Sequence, residues 1–170
     1  LLAKYITELG VKVSRGSESN VLNRFYESVK DKDATHIVRI CADNPLIDGN
    51  EIDNLINFYR ENSCDYPYNH IPKDNFYPDG LGAEIISFDL LKYMNEVVTS
   101  QHHKEHCLSY IWDNQDRYTI KTFNPLDKEL HYPQMKFDVD TFDDYHKLAM
   151  KDFTIDVSSQ ELIKIFGEEK

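Results

Sequence analysis

The sequence predicts a single α/β domain over residues 1–170, with a mainly parallel sheet covered by helices on both faces. Apolar stripes at helical spacing alternate with short apolar runs of strand length, and segments rich in turn-forming residues separate them. A chain of 170 residues that is 41% hydrophobic is also long enough to bury one sizeable core.

Leu1, Leu2, Tyr5, Ile6 and Leu9 share one helical face, and Gly10 supplies a C-terminal stop before a strand expected at Val11–Val13. An α/β fold normally opens with a strand, so a start inside a helix leads to the expectation of an amino-terminal truncation. Val21, Leu22, Phe25, Tyr26 and Val29 recur at helical spacing, and His36 to Ala42 reads as a buried strand. Asp48 and Glu51 have the spacing of a capping pair for a helix whose stripe is Ile52, Leu55, Ile56 and Tyr59. A short strand near Asp65–Tyr68 leads into the Pro-, Asp-, Asn- and Gly-rich segment 69–82, which reads as a loop of active-site size. Tyr66, Tyr68, Phe76 and Tyr77 are read as exposed aromatics serving an interface or a substrate lid. A strand near Ala83–Ile86, helices near Phe88–Val98 and Lys104–Trp112, and a strand over Tyr118–Phe123 follow. Capping boxes are expected at Thr141–Asp144 and Ser158–Glu161, the second opening a helix through Leu162, Ile163 and Phe166.

Thirty acidic residues against nineteen basic ones leave a net charge of −11, which disfavours nucleic acid or an anionic membrane as a partner. A phosphate-bearing substrate would need a metal ion here. No apolar run approaches the roughly 20 residues of a membrane span and no signal-peptide pattern opens the chain, so a cytoplasmic location is expected. Cys41, Cys64 and Cys107 are odd in number and lack a C-x-x-C pair, which suits reduced thiols.

Parallel α/β sheets bind ligands beyond the carboxyl ends of their strands. Asp43 directly follows the buried run Ile37–Ala42 and precedes Asn44-Pro45, so it stands at such an end, although an aspartate before Asn-Pro is also a common turn signal. Asp138 and Asp140 flank Val139, and in an extended backbone both side chains point the same way, within reach of one ion. Mg²⁺ takes oxygen ligands, usually one or two carboxylates together with substrate phosphates, and Asp43, Asp138 and Asp140 would suit it. Asp144 lies three residues after Thr141 and is assigned to the capping box rather than to the site. His102 and His106 are one helical turn apart, as in some zinc sites, but H-E-x-x-H is absent, and a polar helix start or substrate contact is the preferred reading. No dinucleotide fingerprint or P-loop occurs in the chain.

Five segments together resemble the cytidylyltransferases of the spore-coat polysaccharide biosynthesis family, relatives of the CMP-acylneuraminate and CMP-KDO synthetases. Arg15-Gly16-Ser17-Glu18 with Val21-Leu22 and Arg24 is similar to R-G-S-E-x-x-V-L-x-R. Val38-Arg39-Ile40 through Asp43-Asn44-Pro45-Leu46-Ile47-Asp48 is similar to V-R-I-x-x-D-x-P-L-I-D. Pro78-Asp79-Gly80-Leu81 with Glu84, then Glu105-His106, and finally Asp138-Val139-Asp140-Thr141 with Asp144, complete the set in order. The resemblance implies a GT-A-like nucleotidyltransferase fold, a three-layer α/β/α sandwich, here without its amino-terminal strand and the glycine-containing basic loop that cradles the triphosphate. It implies transfer of CMP from CTP to a sugar or sugar-phosphate acceptor with release of pyrophosphate, in the making of surface polysaccharide precursors. It implies Asp43 and Asp140 as Mg²⁺ ligands supported by Asp138, with Arg15, Ser17, Arg39 and Asp43 at the nucleotide and Arg39, Asp43 and Asp140 in catalysis. Asp79, Glu84, Glu105 and His106 would face the acceptor. Gly82 stands where many relatives carry an acidic residue, and a homodimer is expected because relatives often dimerise.

Two other readings compete. A relative lacking the phosphate loop would serve as a nucleotide- or sugar-binding module or scaffold. Asp138-Val139-Asp140-Thr141 also resembles the D-x-D-x-T motif of haloacid-dehalogenase-type phosphatases, but Phe142 stands where Thr or Val belongs, and the motif lies near the wrong end of the chain.

Overall fold

Amphipathic helices with good caps and short β-rich runs assemble into an α/β fold in a computed structural model, which describes residues 1–154 and 156–167. Its residues fall into two compact units, one of residues 1–37 and 87–117, the other of residues 38–86 and 118–170.

The first unit is helical. Helix α1 (Leu2–Glu8) ends where Gly10 takes a positive φ of 78°, and none of its residues is buried. The strand expected at Val11–Val13 does not form; Val11 and Val13 lie exposed in irregular backbone, without a sheet neighbour among the described residues. Helix α2 (Val21–Val29) is capped by Asn20, whose side chain accepts from the Asn23 amide at 3.0 Å. It packs on α4 (Phe88–Val97), where Tyr26 stacks on Phe88 and Asn23 donates to Asn95. Ser87 caps α4 through the Leu90 amide. The single helix expected over Lys104–Trp112 is instead α5 (Gln101–Glu105) and α6 (Ser109–Trp112). His106 leaves helical geometry with ψ 72°, and the turn sinks Cys107 and Leu108 into the interior, so burial overrides the helical period. Leu22, Leu91, Met94 and Ile111 are likewise buried.

Strand β1 (His36–Arg39) pairs with β3 (Glu84–Ser87), and β2 (Tyr66–Pro67) runs parallel to β4 (Ile120–Lys121). In the second unit, an antiparallel bridge joins Tyr68 to Glu84 and a parallel bridge joins Asp79 to Lys136. Strands β1, β2 and β4 are shorter than their expected runs; β1 stops at Arg39 because residues 41–44 close a turn through the Asn44 amide and the Cys41 carbonyl. Helix α3 (Gly49–Glu61) is capped by Asp48, which accepts from the Asn50 amide. Glu51 does not complete the expected capping pair, since its carboxylate accepts from the buried Tyr77 hydroxyl at 2.5 Å.

Two apolar clusters hold this unit. Leu55, Ala83 and Ile85 gather Val38, Ile52 and Phe123 beside α3. Leu81, Leu130 and Phe137 pack with Leu148 of α7 (Phe142–Ala149) and with Leu162, Ile163 and Phe166 of α8 (Ser159–Gly167). Both expected capping boxes are present: Thr141 and Asp144 bond reciprocally, as do Ser158 and Glu161. Among the described residues no disulfide joins the three cysteines, and no helix is long and apolar enough to cross a membrane.

The segment 69–82 is tied down along its length. Tyr66, Tyr68 and Tyr77 are fully buried, so three of the four aromatics read as exposed belong to the core, and only Phe76 is open. The cause is polar pairing: the Tyr66 hydroxyl donates to Glu84, the Tyr68 hydroxyl to the Lys73 carbonyl and the Tyr77 hydroxyl to Glu51, so each ring can be buried with its polar tip satisfied.

Candidate active site

Three backbone contacts bring distant acidic residues together in the second unit. The Val139 amide donates to the Asp43 carbonyl at 2.8 Å, setting the turn after β1 beside the extended Asp138–Asp140 segment. The Asp79 amide donates to the Met135 carbonyl and the Phe137 amide to the Asp79 carbonyl, which lays Asp79 alongside Lys136. Gly80 makes the approach possible: its φ of 90° is costly for other residues, and a Cβ there would lie 2.7 Å from the Asp138 nitrogen.

A cation already stands among these carboxylates. The Lys136 ammonium lies 2.7 Å from Asp140, 3.4 Å from Asp138 and 3.4 Å from Asp144. Asp144 therefore does what its spacing predicts, capping α7, and also joins this ion cluster. Lys136 was missed by sequence reasoning, although in an extended backbone residues 136, 138 and 140 would point the same way and so carry a readable signal.

Burial and the Asp138 charge push the Asp79 carboxyl up to about 6, against the pull of Lys136. Burial raises Asp138 as well, and its Oδ1 is buried without a hydrogen-bond partner among the described residues. Oxygen-only donors and an unsatisfied buried carboxylate oxygen fit a hard divalent cation such as Mg²⁺. Among the described residues, the oxygens of Asp43, Asp138 and Asp140 are not drawn within 4.8 Å of one another, and Lys136 shares Asp138 and Asp140.

A second network surrounds Glu84, which is only 2% exposed. Arg39 donates to one of its oxygens and Tyr66 to the other, while His70 lies 3.8 Å away. Burial raises the Glu84 carboxyl, and the Arg39 charge and hydrogen bond oppose that rise. With both oxygens engaged, Glu84 offers a ligand a fixed Arg39 guanidinium rather than an open carboxylate. Burial, seconded by the Arg39 charge, pushes His70 down to about 4.

An ordinary histidine in the unfolded chain takes up its proton near 6.5, so folding opposes protonation of His70 between about 6.5 and 4. The stability present above pH 6.5 is lost as pH falls through that window, by at most about 3 kcal/mol. His70→Gln is expected to remove much of this acid sensitivity, checked by comparing urea unfolding of the two proteins at pH 7 and pH 4.5; equal losses in both would dismiss His70 as the source.

Gly82 has a structural reason for its place. Asn69 is fully buried against it, with Oδ1 accepting from the Ala83 amide and Nδ2 donating to the Glu51 carbonyl. A Cβ at residue 82 would overlap Asn69, including its carbonyl carbon at 2.6 Å, so a side chain has no room.

The remaining candidate residues belong to the first unit. Arg15 and Ser17 are exposed ahead of α2; the Ser17 carbonyl accepts from Arg24 and its hydroxyl accepts from the Asn20 amide, which orders the turn. Glu105 and His106 are exposed at the end of α5.

Comparison with known proteins decides the family. A family model described as cytidylyltransferase matches residues 2–169. The chain belongs to the cytidylyltransferase family. It is 31% identical over 144 residues to an uncharacterised protein of Methanocaldococcus jannaschii, covering 85% of this chain and 57% of the other. It is 26% identical over 172 residues to a spore coat polysaccharide biosynthesis protein of Bacillus subtilis, covering 98% of this chain and 69% of that protein. The chain thus spans little more than half the length of the first relative and about two thirds of the second. A solved cytidylyltransferase of Leptospira borgpetersenii shares the fold with a TM-score of 0.83 at 22% identity, over 98% of this chain and 70% of that one.

Proposed function

We propose that this cytidylyltransferase moves CMP from CTP to a sugar or sugar-phosphate oxygen and releases pyrophosphate, in the cytoplasm, as a step toward surface polysaccharide precursors. The observation that carries the reading is the gathering of Asp138 and Asp140 on the Lys136 ammonium, with Asp79 close enough to feel that charge and the Asp43 backbone bonded to Val139 between them. Membership in the family and the similarity to a polysaccharide biosynthesis protein support it. The architecture in this reading is the GT-A-like three-layer sandwich, and the working species is a homodimer.

Asp43, Asp138 and Asp140 would hold Mg²⁺, which when bound supplies charge neutralisation for the triphosphate. Lys136 gives up its carboxylate partners and turns toward phosphate oxygens. Arg39, held by Glu84, presents a planar donor fork suited to phosphate. Arg15 and Ser17 contribute donors to the nucleotide. Asp79, Glu105 and His106 position the acceptor, with Glu84 acting through Arg39. Attack on the α-phosphorus then relies on positioning and electrostatics, with no covalent enzyme intermediate.

Calorimetric titration of CTP, ATP and UTP into the protein, with and without Mg²⁺, tests the reading. CTP-selective, Mg²⁺-dependent binding is expected, weakened at least about tenfold by Asp140→Asn, since one charged contact is worth about 1.5–3 kcal/mol. Absence of any nucleotide binding would sink it. Pyrophosphate release in the presence of sugar acceptors then separates a transferase from a module that only binds.

A further inference from the structure

We propose that His102, His103 and Asp113 form a site for a divalent transition-metal ion of the zinc class, separate from the aspartates of the candidate active site. One donor atom from each lies within 4.8 Å of the other two. The set lies wholly within the helical unit and uses no residue of the proposed nucleotide chemistry.

The donor geometry needs little adjustment. Donors about 2.0–2.1 Å from a tetrahedral ion stand ~3.4 Å apart. His103 Nε2 and Asp113 Oδ2 are 2.9 Å apart and need open by only ~0.5 Å, while any other pair in the set need close by no more than ~1.4 Å. Exposed side chains make such shifts by small rotations, and His102 and Asp113 are exposed. The His103 ring is partly buried and lies edge-on to Tyr110 at 5.5 Å, which fixes one ligand before the ion arrives.

Donor chemistry selects the ion. Two imidazoles and one carboxylate suit Zn²⁺, Co²⁺ or Ni²⁺ and do not suit Mg²⁺, which wants oxygen alone. A net charge of −11 enriches cations around the chain without choosing among them.

The connection made is as informative as the ligands. His102 and His103 sit in α5, five residues long, and Asp113 is the C-cap of α6, four residues long. Helices this short have almost no stability of their own. An ion bridging them closes the intervening turn, which carries Glu105 and His106, and so lowers the entropy of that segment. Occupancy is therefore expected to stiffen residues 101–113 and, if the acceptor assignment of Glu105 and His106 holds, to pre-order those two residues.

The test uses the chelator-stripped protein titrated with Zn²⁺ by calorimetry and with Co²⁺ by visible absorption, in the absence of nucleotide. One ion per chain is expected, with the intense d–d bands of a tetrahedral Co²⁺ site. His103→Ala or His102→Ala should weaken binding at least about tenfold, the penalty associated with lost ligation or its support. Asp140→Asn should leave it unchanged. His103→Gln, which keeps a polar side chain of similar reach, guards against misfolding of the alanine variant, and circular dichroism verifies that each variant is folded. Hydrogen exchange within residues 101–113 should slow on addition of Zn²⁺. No binding above the level of the His102→Ala/His103→Ala double variant, or binding that Asp140→Asn removes, would overturn the proposal. CTP binding is independent of both outcomes, so the failure of this site and the failure of the nucleotidyltransferase reading are distinguishable.

Discussion

Replacing Arg39 by methionine is expected to destabilise the protein by about 3–5 kcal/mol, the cost typical of stripping one partner from a buried ion pair. Glu84 is 2% exposed and its carboxylate is held by Arg39 and Tyr66. Methionine preserves much of the volume and the apolar stem of arginine but no charge, so the loss falls on Glu84 rather than on packing. In the variant the carboxyl is left with a neutral phenol and a His70 held uncharged by burial, and its proton affinity rises further. The deficit should accordingly be largest at high pH and shrink as acid protonates Glu84. Adding Glu84→Gln should recover most of the loss, because glutamine still accepts from Tyr66 without carrying a charge. Urea unfolding of the four proteins of this cycle at pH 7.5, without nucleotide, measures the coupling directly. A double variant as unstable as Arg39→Met alone would mean that the arginine stem, and not its charge, holds the region. The cycle bears on function because the pair fixes the guanidinium that we place at the nucleotide: folded Arg39→Met/Glu84→Gln protein should still be deficient in CTP binding, whereas Glu84→Gln alone should bind more weakly through a less ordered Arg39.

The second large effect is expected at Gly82. A methyl group there would overlap the backbone and side chain of Asn69, whose carbonyl carbon lies 2.6 Å from the position of the added Cβ. Neither neighbour can retreat cheaply. The Asn69 amide donates to the Ala83 carbonyl, its Oδ1 accepts from the Ala83 amide, and its Nδ2 donates to the Glu51 carbonyl, all within the protein interior. Displacing Asn69 breaks buried hydrogen bonds as well as packing, so Gly82→Ala should cost at least about 3 kcal/mol, the upper range of overpacking, with further loss from unsatisfied polar groups. Gly82→Asp should be worse because it buries a carboxylate at the same spot. Soluble yield and urea unfolding check both. An Ala variant within about 0.5 kcal/mol of the parent would show that the segment relaxes freely. Asn69 thus occupies the space that any side chain at residue 82 would need.

Helical elements were largely readable. The stripes of α2, α3, α4 and α8 and the capping boxes before α7 and α8 lie within a few residues of one another in sequence, and the structure realises each. Local bonding is sufficient to specify them, since a cap or an i to i+4 contact has both partners in the same short stretch. The turn aspartate beyond β1 and the paired Asp138 and Asp140 were readable for the same reason.

Where the reading failed, the deciding partner was remote. Tyr66, Tyr68 and Tyr77 look like surface aromatics in a polar, turn-rich segment, yet they are core residues because Glu84, the Lys73 carbonyl and Glu51 receive their hydroxyls. Glu51 left its expected capping role for the same pairing with Tyr77, 26 positions away. Val11–Val13 has strand composition but no sheet neighbour among the described residues, and an isolated strand gains nothing to offset its ordering. By itself, then, the sequence determined the helices and their caps and singled out the acidic residues to which we assign the chemistry, because those signals are local. The tertiary structure alone decided that Lys136 stands among the aspartates, that Arg39 is locked by a buried Glu84 and that Asn69 fills the space above Gly82. Each depends on groups far apart in the chain being desolvated together, and the free energy of a buried polar pair exists only once both partners have left water.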